Sequence, residues 1–300
     1  MKKTIHIPAK INLYLDIVDR MENGYHELET VMQSVDLSDT VTVSAEKGTG
    51  KITLLTAGDE TNNLPAEKNT AYRAAERYRA AFPTARAVWD ETLALSDCDL
   101  SVNMQKKIPS RSGLGGASAD AAAVLSALSE LFSPAPSRTE LEAIGAEIGA
   151  DVPFCLRGGT VAARGIGEKM TDLSPLPSLP ILIAVPDGEE ISTPEAFAAW
   201  DSKASVRNET RLSEFLSALP DGISRAEPFG FNVFESLLPD GSRVPHLLAL
   251  LRQSGAVFAR MSGSGPAVFG FFRNEEDRER AKERLSGLAA LYPCYSRGKI

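Results

Sequence analysis

Gly113, Gly115 and Gly116 follow two lysines and a proline (Lys106, Lys107, Pro109) and open a run of small residues beginning Ala117-Ser118. Glycine lets the main chain enter the left-handed region and lets a bulky ligand come close to it. The next stretch, residues 117–132, is rich in helix formers, with Ala121, Val124, Leu125, Leu128 and Leu131 at helical spacing. A glycine loop feeding a helix presents unpaired N–H groups and the positive end of the helix dipole, a receptor for phosphate. The chemistry implied is the holding of a nucleotide triphosphate. The loop is not a Walker A sequence, because no Gly-Lys-Ser/Thr closes it, and its third glycine comes too early for a dinucleotide fingerprint.

Two charged residues stand in comparably short strings: Lys10 in Pro8-Ala9-Lys10-Ile11-Asn12-Leu13, and Asp151 in Gly149-Ala150-Asp151-Val152-Pro153-Phe154. Alone, Lys10 reads as a surface lysine whose stem lies along apolar neighbours. Asp151 alone reads as a solvated acid just past a helix end. There are three histidines (His6, His26, His246), so a histidine-rich metal centre is excluded and acid–base chemistry falls to a carboxylate or a lysine. Cys98, Cys155 and Cys294 are odd in number and lack metal-ligand spacing, which suits a reducing cytoplasm. A formal net charge of −8 argues against nucleic acid as the main partner. No apolar run reaches the length of a membrane span, and Met1 to His6 lack the apolar segment of a signal peptide.

The elements that must position these residues follow from periodicity. Residues 5–17 read as a strand, or two broken at Pro8, with Ile11, Leu13, Leu15 and Ile17 on a buried face and Asn12, Tyr14 and Asp16 opposite. After a turn at Glu22-Asn23-Gly24 comes a strand over 27–35, then a hairpin of 40–44 with 51–56. A helix is predicted over 69–81 and a strand over 100–104, which delivers the chain to the glycine loop. Beyond the loop's helix, Ser133-Pro134-Ala135-Pro136 breaks the chain, and Ser137 with Glu140 forms a capping-box pattern for a helix ending near Gly149. A strand over 160–164 follows. Residues 172–180 are rich in Pro and Ser, placing a domain boundary there: 1–172 and 173–300. The second part reads as strand 181–185, a mixed region, helix 246–253, strands 257–261 and 267–272, helix 275–285 and strand 291–295. That order predicts a two-layer α+β domain of ferredoxin-like kind.

Read as one ordered set, these strings resemble the GHMP kinases. The set comprises Pro8 to Leu13, Asn-Gly-Tyr-His-Glu-Leu at 23–28, the loop Pro109 to Ala119, Gly149 to Phe154, and Ser262-Gly263-Ser264-Gly265-Pro266. The likeness runs from about residue 5 to residue 272. Within the family it is closest to the members whose alcohol substrate carries cytidine diphosphate on methylerythritol. The fold this implies is α+β: an N-terminal α/β domain like that of ribosomal protein S5, and the ferredoxin-like C-terminal domain. The activity implied is transfer of the ATP γ-phosphoryl group to the 2-hydroxyl of the erythritol part, in isoprenoid precursor synthesis. By similarity Asp151 is the base and Lys10 stands beside it, steadying the developing alkoxide.

The same resemblance assigns ATP to Pro109, Gly113, Leu114, Gly115, Gly116, Ala117 and Ser118, with Asn69 and Lys106 around the adenine. Tyr25, His26 and Phe197 match the residues that hold cytosine, and Asn12 and Asp151 those near the erythritol. The loop at 262–265 shapes the floor of the site, and magnesium is implied with the triphosphate, without a protein side chain assigned to it. The chain departs from the pattern at Ser118-Ala119, which leaves one hydroxyl for phosphate, at Arg111 and Ser112 in the loop, and at Asp120, an acid where an amide is common. Alternatives are a GHMP kinase for a smaller alcohol such as mevalonate or homoserine, for which an aromatic pocket is of no use, or a silent nucleotide-binding protein on the same scaffold.

Overall fold

The computed structural model describes residues 1–22, 24–58, 65–203 and 211–299. The chain divides into two compact units whose segments interleave in sequence. Met1–Ala9, Ser38–Ser110 and Gly115–Arg157 form one; Lys10–Leu37, Arg111–Leu114 and Gly158–Ile300 form the other. Two long strands, β1 (Lys2–Arg20) and β2 (His26–Lys47), contribute residues to both.

In the first unit, β1 and β2 are tied by the Met1 amine donating to Ala45 O (2.7 Å) and by the facing pairs Thr4–Thr42 and His6–Thr40. The strand β3 (Ile52–Ala57) does not form the expected hairpin with 40–44. Instead β6 (Cys98–Gln105) lies between them, antiparallel to β2 and parallel to β3. Asp99 on β6 explains this locally: its carboxylate accepts the Thr49 and Lys51 N–H groups, both at 2.8 Å, which turns the chain around β6. Those backbone donors, Lys51 first, hold its carboxyl below the usual range. A short three-stranded sheet, β4 (Arg86–Ala87), β5 (Asp90–Ala94) and β7 (Phe132–Ser133), completes the strands here.

Four helices pack on one another in this unit: α1 (Thr70–Ala81), α2 (Gly116–Leu131), α3 (Arg138–Ile148) and α4 (Val152–Arg157). The expected helix α1 begins at an Asn69 cap whose side chain accepts the Ala71 N–H at 2.9 Å. The capping box of Ser137 and Glu140 is formed, and Gly149 ends α3. The sequence pattern predicts one buried face for α2, but Ala119 to Leu125 are all buried. Its alanines let neighbouring helices approach on every side, as suits a central helix.

The second unit holds a sheet in which β8 (Thr160–Gly165) pairs with residues 28–33 of β2 and with β9 (Lys169–Asp172). On the other edge, β11 (Phe231–Asn232) runs parallel to β1 at Tyr14 and Leu15. Strand β1 is unbroken at Pro8, and its expected half-exposed face is buried too: residues 7–15 are all covered, Tyr14 completely. Tyr14 packs on Phe215 and Phe231, which supply the second layer that the alternation alone does not show.

A second sheet has the order β12 (Phe258–Met261), β13 (Val268–Phe271), β10 (Pro180–Pro186), β14 (Ala289–Tyr295). With α8 (Val244–Gln253) before β12 and α9 (Glu275–Leu285) before β14, this is the expected ferredoxin-like arrangement, antiparallel throughout. Between β10 and β11 lie α5 (Thr193–Ser202), α6 (Leu212–Ala218) and α7 (Ile223–Ala226).

Candidate functional site

In the first unit the predicted phosphate loop ends as expected. Gly115 stands at the head of α2 with φ +73°, and no side chain caps the helix. The first-turn N–H groups of Gly116, Ala117 and Ser118 therefore present the helix dipole to an incoming anion. Thr70 at the start of α1 donates to Ala117 O (2.6 Å), fixing the two helix starts together. The Ser118 hydroxyl lies against Gly149, at 3.5 Å from where a Cβ would stand, and Asp151 follows at the head of α4, partly buried.

Lys106 shows something the sequence does not announce. Its ammonium sits on two carboxylates, Asp39 and Asp120, the latter at 2.6 Å. Asp39 is fully buried and its second oxygen accepts the N–H groups of Lys107 (2.6 Å) and Ile108 (2.9 Å). Burial pulls the Lys106 ammonium down, but Asp120 and Asp39 outweigh it and raise it above the usual range. Asp120, the departure noted above, thus sits on this lysine. No motif carries Asp39; an acid within β2 has no signal until β2 and β6 are paired.

In the second unit, Lys10 is not a surface lysine: it is 4% exposed and donates to Asn12 Oδ1 at 2.8 Å. The same oxygen accepts the Gly263 N–H (2.9 Å), and Asn12 Nδ2 donates to Thr30 Oγ1 (2.9 Å), which donates to Tyr14 O. So the predicted Lys10, Asn12 and the 262–265 loop are brought together. Gly113 joins them: Ser262 Oγ donates to its carbonyl (2.9 Å), and a Cβ on Gly113 would lie 2.1 Å from the Ser262 carbonyl oxygen. Only glycine fits that approach. Leu114 O accepts the Lys10 N–H at 3.0 Å. Buried Asn232, absent from the sequence reading, braces the loop by donating to Met261 O and Gly263 O. Arg111, φ +52°, pairs with Glu190 at the surface, where such a contact contributes little.

The aromatic residues also meet in this unit. His26 lies 4.7 Å from the Phe197 ring and 5.4 Å, edge-on, from Trp200, and its Nε2 is 2.9 Å from the Asp201 carboxylate. Tyr25 beside it is exposed, at 60%. Trp200 and Asp201 were not predicted, although they stand three and four residues after Phe197, the spacing that shares one helix face.

Comparison with known proteins places this geometry. Residues 69–159 match the GHMP kinases N terminal domain and residues 241–289 the GHMP kinases C terminal region. A 4-diphosphocytidyl-2-C-methyl-D-erythritol kinase from Caldicellulosiruptor saccharolyticus is 39% identical over 92% of this chain and 90% of its own length. The chain belongs to the GHMP kinase family. A kinase of the same description from Desulfitobacterium hafniense is 36% identical over 91% of this chain and 88% of its own. A solved 4-(cytidine 5'-diphospho)-2C-methyl-D-erythritol kinase superposes with a TM-score of 0.78 at 31% identity, covering 99% of this chain and all of that one. A Leishmania major mevalonate kinase shares the fold at a TM-score of 0.74 and 14% identity, over 99% of this chain and 96% of its own. As a GHMP kinase the chain is an ATP-dependent phosphotransferase. Among the described residues no helix is long and apolar enough to cross a membrane.

Proposed function

We propose that this kinase acts on 4-diphosphocytidyl-2-C-methyl-D-erythritol, moving the γ-phosphoryl group of ATP to the 2-hydroxyl to give the 2-phosphate and ADP for isoprenoid precursor synthesis in the cytoplasm. The observation that carries this reading over a smaller alcohol is the His26–Phe197–Trp200 cluster. A flat base suits aromatic faces, whereas mevalonate and homoserine offer nothing to stack.

In this reading the domains are residues 1–172 and 173–300. The N–H groups from Gly113 to Ser118 hold the phosphates, with Pro109 entering the loop and Asn69 and Lys106 near the adenine. Asn69 Oδ1 already caps α1 and Lys106 already bridges two acids, so both hold the wall of the site as well as facing the nucleotide. Tyr25, His26 and Phe197 take the cytosine, and Asn12 and Asp151 the erythritol.

Phosphoryl transfer asks the protein for positioning and charge stabilisation. Asp151 takes the proton from the tertiary 2-hydroxyl, and the Lys10 cation steadies the alkoxide as it forms. Lys10 is suited to this because Asn12 and the Gly263 N–H, sharing one oxygen, fix its position. Magnesium would offset the triphosphate charge. Among the described residues no three His, Cys, Asp or Glu side chains cluster to hold a metal.

The test is ADP release by the purified protein with ATP, magnesium and the cytidine substrate. Release should depend on that substrate; hydrolysis indifferent to it, or equal use of mevalonate or homoserine, overturns the reading. In the same assay Asp151→Asn should lower kcat by roughly 10²–10⁴-fold, with KM for ATP within about threefold. Near-normal turnover would remove Asp151 from the mechanism.

A further inference from the structure

We propose that Asp120, with Asp39 and Lys106, is a positioning cluster whose two acids carry one proton in mildly acidic solution, and that this cluster fixes the approach to the glycine loop against the first turns of α2. Both acids contact the one Lys106 ammonium, so their carboxyl groups stand close to each other around it. Two ionised carboxylates repel at such range; a proton between them turns the contact into a hydrogen bond. The two acids are not equivalent. Asp39 accepts two main-chain N–H groups, from Lys107 and Ile108. Asp120 has no such donors: it is 6% exposed, and its Oδ1 has no hydrogen-bond partner among the described residues. A bare ionised oxygen in that place is costly, so the proton belongs on Asp120.

The charge count agrees. With Lys106 positive, Asp39 negative and Asp120 protonated the cluster is neutral; losing that proton leaves a buried net negative charge. Burial first, then Asp39, raises the Asp120 carboxyl, against the opposing pull of Lys106, to about 7. Several charged groups on the other helices packed against α2 are engaged away from the cluster, Arg79 of α1 on the Gly50 and Cys98 carbonyls among them. Arg73 and Arg77 of α1 are on Glu147 and the Ile148 carbonyl, and Arg157 of α4 is on Glu142 of α3.

The cluster has a mechanical consequence. Asp39 pins the main chain at Lys107 and Ile108, while Asp120 pulls Lys106 onto α2, and both residues abut the loop's last glycine. A Cβ on Gly116 would lie 3.1 Å from Ile108 Cγ2 and 3.6 Å from Lys106 Nζ. The cluster therefore sets where the α2 N–H groups stand. Its bearing on ATP rests on the proposed kinase activity; its protonation does not.

The experiment compares Asp120→Asn, which mimics the protonated acid, with Asp120→Leu. Because the folded value lies above the unfolded one near 3.8, the native state binds the extra proton, and wild-type stability falls as pH rises from about 4 through about 7. Urea midpoints taken without any ligand should therefore show wild type losing ground to Asp120→Asn from pH 5 to pH 8. Parallel profiles would overturn the shared proton. In the second arm, at pH 6, Asp120→Asn should keep the Kd for an ATP analogue within about twofold, while Asp120→Leu weakens it about tenfold, a difference of ~1.4 kcal/mol. Equal weakening by both variants would overturn the positioning role. If Asp120→Leu does not fold, the asparagine Kd decides alone: a change above tenfold overturns the role.

Discussion

Two buried lysines face opposite tasks in this molecule. Lys106, its side chain 7% exposed, lies between two acids, one of which is itself tied to the main chain. Lys10, 4% exposed, is held by an amide oxygen that it shares with the Gly263 N–H. The first arrangement is charge against charge in a dry place, where removing one member strands the others. The second includes an amide oxygen, a neutral dipole that fixes where the ammonium stands. A lysine locked between two carboxylates ties distant segments of the chain together.

Substitution by methionine, which keeps the stem and removes the charge, separates the two. Lys106→Met should cost about 3–5 kcal/mol of stability, since Asp39 is left charged and buried, and urea unfolding at pH 7 reads this directly. A loss under 1 kcal/mol would show the triad to be slack. Lys10→Met should lower kcat by roughly 10²–10³-fold, the usual cost of one lost transition-state donor, with KM for ATP little changed. Normal turnover in Lys10→Met would erase the distinction. The smallest effect is expected at a site that neither lysine touches. Phe197→Ala should raise KM for the cytidine substrate about tenfold through the lost ring contact, leaving ATP kinetics unchanged. An unchanged KM would detach the aromatic cluster from substrate.

Local signals were legible where the chain supplies its own partners. The capping box at Ser137 and Glu140, the helix opening at Gly115, and the strand and helix order from β10 to β14 depend on neighbours in sequence, and each is found as read. The hairpin of 40–44 with 51–56 failed for the opposite reason. It is the likeliest pairing for two adjacent strands, yet β6, forty residues on, takes the place between them because Asp99 captures the intervening turn. Trp200 and Asp201 had a faint signal in their spacing from Phe197, whereas Asp39 had none.

By itself, then, the sequence determined the family and the glycine turn that opens α2, because those reside in short strings whose chemistry is intrinsic. Tertiary structure decided the surroundings of each group: that Lys10 is buried on Asn12, that Lys106 and Asp120 join Asp39, and that His26 meets Phe197 and Trp200. Burial and partner charge depend on which distant segments pack around a side chain, and those two quantities set whether a lysine or an aspartate serves as a tie or as a reagent.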